Sequence, residues 1–317
     1  MNAPNGLSVT DGAVLTRRVT MMSVATAAIL VALKTAAWLV TGSVALLAST
    51  ADSALDLVAS LVTFYAVRYA VAPPDAEHRY GHGKAEAFAS LVQAGLVFAS
   101  AALIGREAVG DLTGGHAPRQ EGWAIAVMVV SIGLTSLLLM AQAKVLKQTS
   151  SVAVSGDRAH YAMDLASNLA ALLGIGATAV LGLGSLDAIA AMVVAALLLW
   201  GAVGVFREAS SQLMDKELPD GDRARIVALI TKDERLSDVH QLRTRASGPF
   251  VHIQLHVDLD PQITLETAHQ VIVAAEKRLL EAFPAADILI HADPRGSAEP
   301  HGGAFAEIPH PAAHAPA

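Results

Sequence analysis

The chain has 317 residues, 53% hydrophobic and only 16% charged, against about 25% charged in an ordinary soluble domain. A formal charge of -7 without a basic cluster excludes an electrostatic nucleic-acid binder, and the absence of cysteine excludes disulfides and thiolate metal ligands. The mean hydropathy of +0.47 points to a polytopic membrane protein.

Residues 1–15 are small and polar and are expected to be disordered. Arg17 and Arg18 then precede an apolar run over 19–40. It is longer than a signal-peptide core and further spans follow, which predicts a first transmembrane helix. Lys34 inside it must either pair with a membrane carboxylate or snorkel to the interface. The second span, over 44–70, holds Asp52 and Asp56. At i and i+4 these lie on one helix face, where two bare carboxylates repel and are each costly in lipid. A proton, a cation or a metal ion must compensate them.

The polar loop over 72–84 brings Asp75, His78 and His82 close in sequence, beside glycines that permit tight folding, and a second metal site is expected there. A third span over 85–104, a Gly-rich loop with His116, and a fourth span over 123–143 follow. The fifth, over 154–183, contains Asp157, Arg158, His160 and Asp164 in its first half, and the sixth covers 188–206. The expected transmembrane domain is 16–209.

An even number of spans puts both termini on one side. Arg17, Arg18, Arg68, Arg79, Lys84, Lys144, Lys147, Arg158, Arg207 and Lys216 fall on that side, and Arg106 and Arg119 on the other. The positive-inside rule therefore predicts cytoplasmic termini and a cytoplasmic histidine loop.

Beyond these spans the composition becomes soluble, which predicts a cytoplasmic domain over 210–293. A helix is expected over 219–232, with Ile226, Leu229 and Ile230 on one face, and a strand over 239–246. Residues 251–260 alternate strictly, with Val251, Ile253, Leu255, Val257 and Leu259 on one side and His252, Gln254, His256, Asp258 and Asp260 on the other. A helix over 264–283 and a strand over 287–291 complete an α-β-β-α-β order, a two-layer α+β domain of ferredoxin-like type. The Pro/Ala/Gly-rich tail over 294–317 is expected to be disordered, with its histidines incidental.

Asp52 with Asp56, and His160 with Asp164, are two i, i+4 pairs on two membrane helices. Facing each other, they offer one nitrogen and three oxygens, a set suited to Zn²⁺ and open to Cd²⁺, Fe²⁺ or Co²⁺. In the soluble domain His240, His252, His256, His269, His291 and Asp293 are potential ligands. His252 and His256 on one strand stand about 13 Å apart and cannot share an ion, whereas His291 and Asp293 can. A zinc hydrolase needs an open coordination position and a base, often in His-Glu-x-x-His, and that motif is absent. The alternative to transport is a membrane-anchored metal sensor or binding protein, which needs no ligands in lipid.

The chain resembles the cation diffusion facilitators, and within them the bacterial ferrous-iron and zinc efflux type. The resemblance covers nearly all of residues 17–294. It rests on Asp52-Ser-Ala-Leu-Asp56, His78-Arg-Tyr-Gly-His-Gly-Lys-Ala-Glu86, His160-Tyr-Ala-Met-Asp164, Leu242-Arg-Thr-Arg-Ala-Ser-Gly248 and Ile290-His-Ala-Asp-Pro294. It implies an intramembrane transport site at Asp52, Asp56, His160 and Asp164, and a loop site at Asp75, His78 and His82. It further implies a binuclear site at His240, His256, His269, His291 and Asp293 that bridges the cytoplasmic domains of a homodimer, while His252 has no counterpart. Lys84 and Asp215 match a charge interlock at the membrane boundary. The implied activity is proton-coupled export of Zn²⁺, with Fe²⁺ and Cd²⁺ as further substrates, across the lipids of the cell inner membrane.

Overall fold

The computed structural model describes residues 9–42, 44–114, 122–181 and 185–296. Six long helices come first: α1 (Val9–Thr41), α2 (Val44–Ala70), α3 (Ala85–Gly114), α4 (Gly122–Leu146), α5 (Val152–Leu181) and α6 (Ser185–Leu213). The shortest has 25 residues. At about 1.5 Å per residue it exceeds the roughly 30 Å hydrocarbon thickness of a bilayer. Among the described residues, α1 to α4 each contain a stretch long and apolar enough to cross a membrane.

The helices overrun the expected spans. α1 begins at Val9, so residues 9–15, expected to be disordered, are helical. Asp11 sits in the first turn, where a carboxylate meets the positive end of the helix dipole. Thr16 and Thr20 bond back to carbonyls of the preceding turn, which lets hydroxyls sit in the helix without leaving it. α6 continues to Leu213, past the expected boundary at 209. The expected His116 loop and most of the expected tail lie outside the described residues.

Within the membrane unit α3 packs on α5 and α6, α1 on α2 and α4, and α5 on α4 and α6. Small residues permit the α3–α5 approach. A Cβ on Gly156 would meet Ser90 Oγ at 3.0 Å and Ser90 Cα at 3.2 Å. Glu86 of α3, 2% exposed, caps the start of α5: Ser151 Oγ donates to its Oε2 at 2.5 Å, and the Val152 and Ala153 N–H groups point at the same carboxylate.

One turn further along α5 lies Asp157, fully buried. Gln142 Nε2 of α4 donates to Oδ2 at 2.8 Å and Gln93 Nε2 of α3 to Oδ1 at 3.3 Å. Gln142 also reaches Ser23 of α1 at 3.2 Å, and Gln93 reaches Thr63 of α2 at 3.0 Å. In hydrocarbon such groups can be satisfied only by one another, so the network ties five helices together.

The C-terminal unit begins at Lys216. It contains α7 (Asp220–Ile230), β1 (Ser237–Ser247), β2 (Phe250–Leu259), α8 (Leu265–Ala282) and β3 (Ala286–Pro294), the expected element order. The sheet order is β1-β2-β3, with β2 and β3 parallel and α8 as their crossover. Thr264 caps α8 by accepting the Thr267 N–H at 3.2 Å. Ile253, Leu255 and Val257 of β2 pack with Ile226, Ile230, Val271, Ala275 and Leu279 of the two helices. The alternation therefore sends the apolar face into the helices and leaves the histidine face opposite. On that face His252 (6% exposed) and Asp258 (7%) are nonetheless buried.

Candidate metal centres

Among the described residues, three groups of ligand-type side chains converge, each with donor atoms within 4.8 Å of one another. Their physical settings differ.

The first is in the membrane. His160 Nε2 of α5 lies 2.9 Å from Asp56 Oδ1 of α2 and 3.7 Å from Asp164 Oδ2 one turn along its own helix. His160 is 4% exposed, and its Nδ1 has no hydrogen-bond partner among the described residues. Two carboxylates thus converge on one buried imidazole nitrogen, a donor set of the kind a divalent ion takes. Asp52, the expected fourth ligand, is exposed on α2 and outside this trio. It remains one turn away, within electrostatic reach of Asp56 and His160.

The second group is the loop between α2 and α3. Asp75 Oδ1 accepts the backbone N–H of Glu77 at 2.9 Å and of His78 at 2.6 Å, an Asx turn that folds the loop over itself. The His78 N–H chiefly, with Glu77 and the His78 ring adding to it, holds this carboxyl below the usual range despite some opposing desolvation. His78 Nδ1 stands 3.2 Å from Asp75 Oδ1, and His82 Nε2 stands 3.2 Å from Asp75 Oδ2. His82 is buried against the Tyr69 ring. Its Nδ1 faces the Ala72 carbonyl at 3.4 Å, while its buried Nε2 makes no hydrogen bond among the described residues. If Nδ1–H donates to the carbonyl, the Nε2 lone pair is the one directed at the cluster, the arrangement of a metal ligand. Gly81, at φ 78°, supplies the reversal just before His82.

The third group lies on the polar face of the small sheet, with Asp293 of β3 at its centre. Its Oδ2 is 2.9 Å from His256 Nδ1 of β2 and 3.2 Å from His240 Nε2 of β1, and its Oδ1 is 3.3 Å from His291 Nε2. The parallel register sets His256 beside His291 and Asp258 beside Asp293. The His256 ring stands 5.4 Å from His240 and 4.6 Å from His291, centroid to centroid. Burial raises the Asp293 carboxyl, but the His256 bond and the neighbouring imidazoles outweigh it and hold the group below the ordinary range. A carboxylate facing imidazoles with both oxygens suits two ions bridged by one ligand.

His240 reaches this cluster because β1 is irregular. Asp238 at φ 47° and Gln241 at φ 49° flank it, local reversals that re-aim the side chain. Exposed His269 on α8 is outside the cluster. His252 pairs instead with Asp287, its register partner, at 3.1 Å. Lys84 Nζ meets Asp215 Oδ1 at 2.9 Å and the Leu213 carbonyl at 3.3 Å, so the expected charge pair forms. The Asp157 network and the Glu86 cap were not anticipated, although a carboxylate and two glutamines inside apolar runs were their visible signal.

Residues 20–214 match the family described as cation efflux transmembrane domain, and residues 218–295 the cation efflux protein, cytoplasmic domain. The chain belongs to the cation diffusion facilitator family. It is 39% identical over 280 residues to the cation-efflux pump FieF of Serratia proteamaculans, covering 88% of this chain and 93% of that one. It is 38% identical over 268 residues to FieF of Yersinia enterocolitica, covering 84% and 89%. Among solved structures, the zinc form of CzrB is 31% identical, covers 27% of this chain and 98% of that one, and gives a TM-score of 0.25. The protein is thus a multi-pass membrane transporter for metal-cation efflux, of the FieF type.

Proposed function

We propose that the protein is a proton-coupled antiporter that exports divalent transition-metal ions from the cytoplasm, Zn²⁺ foremost and Fe²⁺ and Cd²⁺ as further substrates. It acts as a homodimer in the cell inner membrane with both termini cytoplasmic. The observation that carries this reading is the convergence of Asp56 and Asp164, from two membrane helices, on the buried imidazole of His160. Asp52 completes the set when the ion is gripped.

Facing the cytoplasm, the deprotonated ligands attract the ion strongly, because three carboxylates exceed its charge and the surroundings are of low dielectric. Facing outward, protons occupy the same oxygens and the imidazole nitrogen and displace it. Metal and proton exclude each other, so exchange needs no separate proton path. The donor sets of the loop (Asp75, His78, His82) and of the sheet (His240, His256, His291, Asp293) also fit zinc. With His269 supplied across the dimer, ions at the sheet site draw the two soluble domains together and regulate transport. The helical unit that ends with α6 at Leu213 transports, and the unit that begins at Lys216 regulates.

The test is Zn²⁺ flux into proteoliposomes with and without a pH gradient. Uptake driven by the gradient, with proton movement in the opposite direction, is expected. Metal binding without flux would establish the sensor reading instead.

A further inference from the structure

Lys34 is a cation inside the membrane helix α1, about two turns before its end, and it does not snorkel. Its Nζ donates to Ser53 Oγ at 2.7 Å and to the Ser49 carbonyl at 3.3 Å, so the ammonium turns from α1 into α2. Ser53 is fully buried and follows Asp52 directly, three residues before Asp56. Held there by two neutral oxygens, the charge acts on Asp56, Asp164 and Asp52. It stands beside the candidate ion site without occupying it.

The charges decide what such a cation does. Asp52, Asp56 and Asp164 bring three negative charges, and a divalent ion bound with neutral His160 cancels two of them. One uncompensated charge would remain in a low-dielectric site, a costly state during any passage through the membrane. The Lys34 ammonium cancels it. A monovalent ion in the same place leaves the site negative and a trivalent ion leaves it positive.

We infer that Lys34 is the fixed counter-charge of the transport site: anchored on Ser53 and Ser49, it neutralises the third carboxylate, so that only a divalent ion leaves the loaded site neutral and releasable. This makes Lys34 a positioning and charge-selecting residue rather than a ligand. The inference rests on the transport-site reading above.

The test is the initial rate of Zn²⁺ flux against Zn²⁺ concentration for the full-length protein in liposomes, comparing wild type with Lys34→Met, Lys34→Gln, Lys34→Arg and Asp56→Asn. Removing a like charge from beside the ion should lower KM on the order of tenfold in Lys34→Met. It should lower kcat at least as much, because the ion is then held too tightly to leave. Lys34→Arg should restore both constants to near the wild-type values. A lowered kcat with unchanged or raised KM would show a packing role only and overturn the inference, as would wild-type kinetics. If Lys34→Met does not purify as a monodisperse protein, Lys34→Gln carries the same expectation and the same refutation. Normal flux in Asp56→Asn overturns the transport site itself. An inactive Asp56→Asn with unaltered Lys34 variants overturns the role of Lys34 alone.

Discussion

His160 Nε2 and Asp56 Oδ1 stand 2.9 Å apart although 104 residues separate them in the chain. Asp52, one turn away on the same helix as Asp56, is outside that contact. The two aspartates are therefore unequal partners. Asp56→Ala should reduce Zn²⁺ flux in proteoliposomes to the protein-free background, whereas Asp52→Ala should keep a measurable part of it at saturating metal. Isotope uptake on the two variants checks the order.

Asp157 has a structural task that its position near His160 disguises. Asp157→Ala leaves one N–H of Gln142 without an acceptor, its other going to Ser23, while Gln93 keeps Ala59 and Thr63. An unsatisfied buried donor costs about 1–3 kcal/mol. The expected result is a clear fall in melting temperature in detergent, read by loss of the monodisperse peak on heating. Asp157→Asn, which keeps an oxygen acceptor, should lose less.

The loop centre depends on one backbone reversal. Gly81→Ala forces a side chain into the left-handed region at φ 78°, at a cost of about 1–2 kcal/mol. His82 is then displaced from Asp75. Zn²⁺ titration by calorimetry should show weaker binding at the loop, with the sheet centre unchanged.

Acid also loosens a surface ion pair of the C-terminal unit. Asp233 accepts two bonds from the Arg235 guanidinium, at 2.9 and 2.8 Å. That side chain chiefly, with the Arg235 N–H and the Arg235 and Arg278 charges adding to it against slight desolvation, pulls the Asp233 carboxyl down to about 2. A free Asp titrates near 3.9, at about which the unfolded chain begins to bind the proton first. The pair therefore stabilises the fold fully above about pH 4 and loses that contribution as pH falls toward 2. Because Arg235 is exposed the effect is small. Asp233→Asn should melt slightly below wild type at pH 6, and the two melting curves should converge as pH approaches 2.

Regular periodicity made most of the architecture readable in advance. The strict alternation from Val251 to Leu259 predicted which face of β2 enters the core, and the i, i+4 spacings set Asp52 with Asp56, and His160 with Asp164, on one face of each helix. What could not be read depends on partners distant in the chain. Whether Lys34 turned to lipid headgroups or into the bundle was decided by Ser53 and Ser49 of the next helix. The task of Asp157 was likewise set by Gln93 and Gln142, which lie on two other helices. The reversals at Asp238 and Gln241 carry no glycine signal, so the path of β1, and with it the aim of His240, was invisible to pattern alone.

The parallel pairing of β2 with β3 has a kinetic corollary. His256 and Asp293 are 37 residues apart in sequence and become neighbours only after α8 has formed and packed the crossover. Closing a segment of that length is entropically uphill until apolar burial repays it. An ion bound at this centre would meet its ligands only once the crossover is closed. It would act as a latch on a finished structure, not as the nucleus around which the structure assembles, and chelation should loosen the domain without unravelling it.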